Sequence, residues 1–264
     1  MKIIVLISCM YEKDTTIITR SNVQTDVVVV NQCDIDSVEE FDFVNKKGEI
    51  CHAKFINSTE RGLSKSRNLA ILNAWGDYCQ ISDDDEVFPD NHADIIKEAY
   101  FKYPNASVIT FALDWKDSKA IYLKKECKLG LVGILRTSSQ QITFSLAKIK
   151  EYGITFDVKM GSGTGNGGGE ENRFLIDCKK CGLRMVYYPK VIALIVPGDS
   201  KWFKGYDEKY FRDRGWTSRR NLGFVKGLLF IIYNAFNHKR EFTKNGVSFY
   251  RVVKNMVKGF FEKR

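Results

Sequence analysis

The chain has 264 residues, 44% of them hydrophobic and 28% charged, a composition that supports a substantial core and excludes disordered, collagenous and disulfide-stapled architectures. Its formal charge of +9 is unevenly spread: residues 1–200 hold 25 Lys and Arg against 27 Asp and Glu, whereas residues 201–264 hold 16 against five. The last quarter is therefore a candidate surface for a polyanion, and the near-neutral remainder argues against an extended nucleic-acid footprint.

In chain order, Ile3 to Ser8 (IIVLIS) and Asp26 to Asn31 (DVVVVN) are short continuous apolar runs that read as buried strands. Phe41 to Ile56 reads as a hairpin turning at Lys46-Lys47-Gly48. Ser64 to Trp75 carries Leu69, Leu72 and Ala70, Ala74 at helical spacings, with Gly76 as its stop. Tyr78 to Ser82 is the next strand, and Asp83-Asp84-Asp85-Glu86 stands directly at its carboxyl end, where open α/β sheets bind ligands. A helix over Asn91 to Tyr103 and a strand over Ser107 to Leu113 follow. Gly161 to Gly169 (GSGTGNGGG) is a mobile or closely approached loop, and Glu170-Glu171 opens a helix that ends before Gly182. Met185 to Tyr188 and Val191 to Val196 are two more strand-like runs. Strands alternating with helices imply an α/β fold with a mostly parallel sheet flanked by helices.

Seven scattered cysteines (an odd number) and an N-terminus without a charged start, apolar run and cleavage site point to a reducing, cytoplasmic setting. Without a second pair at zinc-ligand spacing, Cys178 and Cys181 read as small side chains on a helix. No run reaches the roughly 20 apolar residues of a membrane span; Leu222 to Phe236 comes nearest and is broken by Lys226.

Three adjacent aspartates repel one another unless a cation relieves them, so the cluster is either a metal–diphosphate site or a solvated acidic turn. Residues 60–88, ERGLSKSRNLAILNAWGDYCQISDDDEVF, resemble the nucleotide-sugar-binding region of family 2 glycosyltransferases: a Gly-Leu-Ser-x-x-Arg-Asn helix start, a Gly-Asp stop, a strand and the aspartate cluster, in order. Gly169-Glu170-Glu171 resembles the family's Gly-Glu-Asp acceptor motif, and Trp202-Phe203-Lys204-Gly205-Tyr206 looks like a subgroup acting on capsule or O-antigen. The resemblance covers roughly residues 1–215 and implies a GT-A (Rossmann-like) fold. It implies that Asp85, with Asp83, holds Mn²⁺ or Mg²⁺ on the donor diphosphate, and that Asp83 and Asp84 lie near ribose or donor sugar. Ser8 and the Asn31 to Asp34 segment fall at the family's uridine-binding positions, although the usual acidic pair is replaced by Asn31-Gln32-Cys33-Asp34. Gly62, Leu63 and Arg67 would flank the nucleotide, Arg67 contacting a phosphate, pinning an aspartate, or making a helix-face salt bridge. Glu171 is the expected general base, with Glu170 as the alternative; both equally suit the positive end of a helix dipole. Where relatives often have a histidine ligand, this chain has Pro197, with Asp199 as a replacement. His52, His92 and His238 fit no motif.

The tail over 216–264 reads as a basic amphipathic helical extension of the catalytic domain, 1–215. Val253, Met256, Val257, Phe260 and Phe261 fall on one helical stripe beside Lys254 and Lys258, with Arg219 and Arg220 upstream. The stripe either lies in an anionic membrane surface or packs back on the catalytic domain; the charge balance favours the membrane. The expected activity is inverting, metal-dependent transfer of a sugar, UDP-hexose above all, to a lipid-linked saccharide at the inner face of the cell membrane, without nucleic acid. A sugar nucleotidyltransferase would want a glycine-rich phosphate loop after the first strand, and Ser8 to Asp14 (SCMYEKD) has none. A binding module consisting of the basic tail alone is the remaining alternative.

Overall fold

The computed structural model describes residues 1–115, 123–196 and 205–264. Pro197, Asp199 and the Trp202 to Lys204 part of the aromatic motif lie outside them. The elements are β1 (Ile3–Met10), α1 (Ile17–Arg20), β2 (Asp26–Gln32), β3 (Ser37–Val44), β4 (Ile50–Ser58), α2 (Leu63–Asn73), β5 (Tyr78–Asp83), β6 (Glu86–Val87) and α3 (His92–Lys102). They continue with β7 (Val108–Trp115), β8 (Cys127–Lys128), α4 (Leu131–Ile134), β9 (Ile142–Ser145), α5 (Leu146–Glu151), α6 (Glu170–Lys180), β10 (Met185–Ile195), α7 (Glu208–Asn237), α8 (Lys239–Lys244) and α9 (Phe249–Phe260).

One sheet runs in the order β3-β4-β2-β1-β5-β9-β7-β10-β6, with β8 on β10. The continuous apolar runs are explained by burial on both faces. Ile3, Val5 and Ile7 of β1 face a core completed by α1 and α3, whereas Ile4 and Leu6 face the core under α2, α5 and α6. The sheet is mixed rather than mostly parallel: among the described residues, β1–β2, β1–β5, β2–β4 and β7–β10 are parallel and the five other pairings antiparallel. Three of these are made by β3, β6 and β8, and two by β9, which runs against both of its neighbours and joins the parallel half at β5 to the β7–β10 pair. The two runs expected around residue 190 form the single strand β10, with register shifts at Tyr188/Val191 and Val191/Leu194.

Gly76 does not cap a helix, because α2 ends at Asn73 and Ala74 is already extended. A Cβ there would come within 2.8 Å of Ile4 Cγ1 and 2.9 Å of the Lys2 carbonyl oxygen, so glycine is required by close approach to β1.

The C-terminal helices correct two expectations. The stripe on α9 is packed: Met256 and Phe260 are 0% and 1% exposed and share a small core with Phe211, Ile231 and Ala235 of α7, while Val253 and Val257 pack partly against it. Phe260 therefore does not face a membrane, whereas Phe261, Lys254 and Lys258 are exposed. The helices touch backbone to backbone; a Cβ on Gly215 would lie 1.8 Å from the Met256 carbonyl oxygen and one on Gly259 1.9 Å from that of Arg212. The boundary expected at 215 falls inside α7, whose break is at Gly223 (φ 74°, ψ −166°). Before that break α7 packs on the glycine loop and the segment that leads into it. Arg220 pairs with Asp157 at 2.5 Å, and Thr217 and Asn221 donate to the Gly168 and Gly169 carbonyls.

Candidate active site

The pairings Ser8–Val30, Ser8–Asp83 and Gln32–Ser58 bring the carboxyl ends of β2, β1 and β5 to one edge. The start of α2 closes over that edge. The Gly62 N–H donates to Gln32 Oε1 at 2.7 Å, the Leu63 N–H donates to the Ser162 carbonyl at 3.0 Å, and the Ser66 hydroxyl donates to the buried Ser8 hydroxyl at 3.0 Å. The glycine loop is thus closely approached on two sides. A Cβ on Gly163 would sit 3.1 Å from Gly62 Cα, and one on Gly169 would sit 2.9 Å from Thr217 Cγ2.

Arg67 occupies the centre, 1% exposed. Its Nη1 donates to Glu170 Oε1 at 2.9 Å, and its Nη2 donates to Asp83 Oδ1 at 2.8 Å and to Ser139 Oγ at 2.9 Å. The guanidinium lies 5.4 Å from the Phe156 ring centroid. Burial opposes its charge, but the Asp83 and Glu170 carboxylates more than offset this and hold it protonated. Arg67 pins an aspartate, then, and is closed off from a donor phosphate.

Consequences for the acidic residues follow. Asp83 uses one oxygen on Arg67, the other accepts from Ser139 Oγ at 3.3 Å, and its N–H donates to Glu86 Oε1 at 2.7 Å. That fixes the turn and leaves Asp83 poorly placed as the second metal ligand. Asp84 and Asp85 are exposed and carry no ion pair among the described residues. Although both residues reach solvent, the protein packed around part of the carboxyl group, and then the charges of Asp83 and Asp84, push Asp85 up to about 6; the same partial burial and Asp83 raise Asp84 as well. Adjacent carboxylates whose charges oppose ionisation of Asp84 and Asp85 are a donor set that fits Mg²⁺ or Mn²⁺. Among the described residues no group of three or more His, Cys, Asp or Glu converges on such an ion, so the protein would contribute chiefly Asp85, and diphosphate and water the rest.

Glu170 and Glu171 separate in the same way. Glu170 is 5% exposed and tied to Arg67, which removes it as the alternative base. Glu171 lines a cavity of about 740 Å³ together with the glycine loop and the α7 residues Tyr210, Arg214, Thr217 and Asn221. Burial first, and then the charge of Glu170, push the Glu171 carboxyl up to about 8.

At the nucleotide side, Asn31 is committed to the scaffold. Its Nδ2 donates to the Glu12 carbonyl (2.9 Å) and Asn57 Oδ1 (2.8 Å), and its Oδ1 accepts from the Glu12 N–H (3.0 Å), so it is not free to read a base. Asp34 stands at the rim in an ion pair with Arg61 at 2.6 Å, and Arg61 lies 5.5 Å from the exposed Tyr11 ring. Tyr11 holds φ +55°, an unusual conformation for a non-glycine residue immediately after β1. Sequence reasoning passed over Tyr11, Arg61 and Ser139. Arg61 adjoins Gly62 and was within reach, whereas Ser139 lies in a stretch without pattern.

Residues 17–163 match the model of the family described as glycosyl transferase family 2. No curated protein matches the chain in sequence. Among solved structures it is similar to S. aureus TarS 1–349 in complex with UDP-GlcNAc (TM-score 0.60, 16% identity, 83% of this chain and 66% of that one). It is also similar to S. aureus TarS (0.60, 15%, 90% of this chain and 44% of that one) and to the mannosyltransferase PcManGT from Pyrobaculum calidifontis with GDP-Man and Mn²⁺ (0.50, 13%, 97% and 73%). The chain thus spans just under two thirds of the TarS fragment and less than half of TarS, and at these identities the likeness is one of fold.

Proposed function

The chain belongs to glycosyl transferase family 2, and from that premise we propose that it is an inverting, metal-dependent enzyme that moves a hexose from UDP to a lipid-linked saccharide of the capsule or O-antigen kind. Its place would be the inner face of the cell membrane. The observation that carries the reading is the division of labour made by Arg67. It ties up Asp83 and Glu170 and leaves Asp85 on the donor side and Glu171 on the cavity side as the carboxylates with work still to do.

A bound Mn²⁺ or Mg²⁺ would neutralise the diphosphate leaving group. Asp85 would hold the ion, the Asp34–Arg61–Tyr11 rim would border the nucleoside with Ser8 buried beneath the start of α2 behind it, and Asp84 would lie toward ribose or donor sugar. Glu171 would accept the proton of the acceptor hydroxyl as its oxygen attacks the anomeric carbon, while the bond from that carbon to the diphosphate oxygen breaks on the opposite side. Gly62 and Leu63 act through the loop they hold. UDP is favoured because a structurally similar protein is seen with UDP-GlcNAc; GDP is the alternative that the GDP-Man complex of PcManGT suggests.

Membrane placement is supported by the charge of the C-terminal segment, each cation near an anionic surface contributing on the order of 1 kcal/mol. No helix among the described residues is long and apolar enough to cross a membrane. Thermal shifts with UDP-, GDP- and CDP-sugars, with and without Mn²⁺, test the donor. The largest stabilisation is expected with UDP-sugars plus Mn²⁺, and a shift with GDP-sugars alone would overturn the UDP assignment.

A further inference from the structure

Beyond Gly223 the outward face of α7 is open to solvent. Val225, Leu229, Ile232, Tyr233 and Phe236 recur at the spacing of one helical face and are 50–68% exposed, while Ile231 and Ala235, on the other side, are buried against α9. Single exposed apolar residues are ordinary; five on one stripe are not. The stripe continues onto α9 at both ends. Phe224 lies 6.2 Å from Phe261, and Phe236 lies 4.8 Å from Phe249, next to the exposed Tyr250.

Cations accompany it. Lys226 sits beside the stripe, Lys239 and Arg240 follow its end, and Lys254 and Lys258 stand on the outer side of α9. None of the five has a carboxylate within ion-pair distance among the described residues. By contrast, Glu208, Asp213 and Glu262 are paired with other cations, and Glu241 is engaged by the Tyr206 hydroxyl and the His238 ring.

We propose that this face of α7, and not the buried stripe of α9, docks the protein on an anionic phospholipid bilayer, an inference that rests on the membrane placement proposed above. A second copy fits less well, because a two-fold contact through the stripe would set these unpaired cations near their own images. A bilayer with anionic headgroups offers both the apolar layer and the opposite charge. Phe230, the neighbour of Leu229, lines the cavity that holds Glu171, so docking through this face would set that cavity near the surface carrying a lipid-linked acceptor.

The test is sedimentation of the whole chain with phosphatidylglycerol–phosphatidylcholine vesicles and with pure phosphatidylcholine, for wild type and for Leu229→Ser/Ile232→Ser/Phe236→Ser. Expected is binding to the anionic vesicles that weakens in high salt, and at least a tenfold loss in the triple variant with its UDP-sugar hydrolysis unchanged. Wild type that ignores anionic vesicles would overturn the membrane placement itself. A triple variant that binds as wild type does would overturn only the choice of face. A wild-type dimer that becomes monomeric in the triple variant, without an effect on vesicles, would make a second copy the occupant and overturn the proposal.

Discussion

Arg67 and Glu170 lie 103 residues apart in the chain and meet at 2.9 Å inside it. Because the same guanidinium also holds Asp83, the strand-end aspartates and the acceptor-side helix are located relative to each other by one buried side chain. Arg67→Ala would leave Glu170 buried without its cation and Asp83 without its main tether. A loss of about 3–5 kcal/mol in denaturant unfolding is expected, together with loss of transfer. Arg67→Lys should recover little, since one ammonium cannot reproduce the forked contacts. Wild-type stability in Arg67→Ala would show that the pair does not organise the site.

The two glutamates should respond oppositely to amide replacement. Glu171→Gln is expected to lower kcat at least 100-fold without loss of thermal stability, as for removal of a general base. Glu170→Gln is expected to lower stability first, because it removes a charge from Arg67. Kinetics and thermal melts on both variants decide the order, and a reversed order would move the base to Glu170.

The raised Glu171 carboxyl has two pH signatures. With its group near 8, kcat/KM should climb about tenfold per pH unit below that value and level off above it, since only the ionised form accepts a proton. Stability runs the other way. The folded state keeps the proton up to about 8 and the unfolded chain releases it near 4.5, so this contribution is full below 4.5 and is lost as pH rises toward 8. Glu171→Gln should flatten that part of the stability profile, as read by melts across pH.

In the presence of UDP, Mn²⁺ should raise the melting temperature of wild type and not of Asp85→Ala, with Asp83→Asn retaining part of the response because Asp83 faces Arg67. Removal of divalent ions with EDTA should abolish transfer and added Mn²⁺ should restore it. An Asp85→Ala protein that still responds fully to Mn²⁺ would place the ion elsewhere.

Gly215→Ala or Gly259→Ala puts a methyl into a backbone contact between α7 and α9. A cost of about 1–3 kcal/mol or more is expected, read as earlier melting and faster hydrogen exchange in α9. A neutral effect would mean that the helices readily separate.

Much of this was legible before any coordinates. Continuous apolar runs announce strands buried on both faces, and the position of Asp83 to Asp85 after Tyr78 to Ser82 follows from strand length alone. What escaped depends on pairing between distant segments. Hydropathy does not reveal that β9 runs antiparallel between β5 and β7, because a short buried strand reads the same in either direction. A helical stripe looks alike whether it meets lipid or another helix, and it takes the burial of Met256 and Phe260 and the glycine contacts at 215 and 259 to show that α9 is packed. Arg67 sits at a recognisable motif position, yet its choice between phosphate and carboxylate is set by Glu170, far along the chain.

The most direct measurement is turnover of a UDP-hexose with Mn²⁺ by wild type, Asp85→Ala and Glu171→Gln, with the anomeric configuration of the product read by NMR. Expected is an inverted product from wild type and at least a 100-fold loss in each variant. A retained configuration, or undiminished turnover in both variants, would contradict inverting transfer between Asp85 and Glu171.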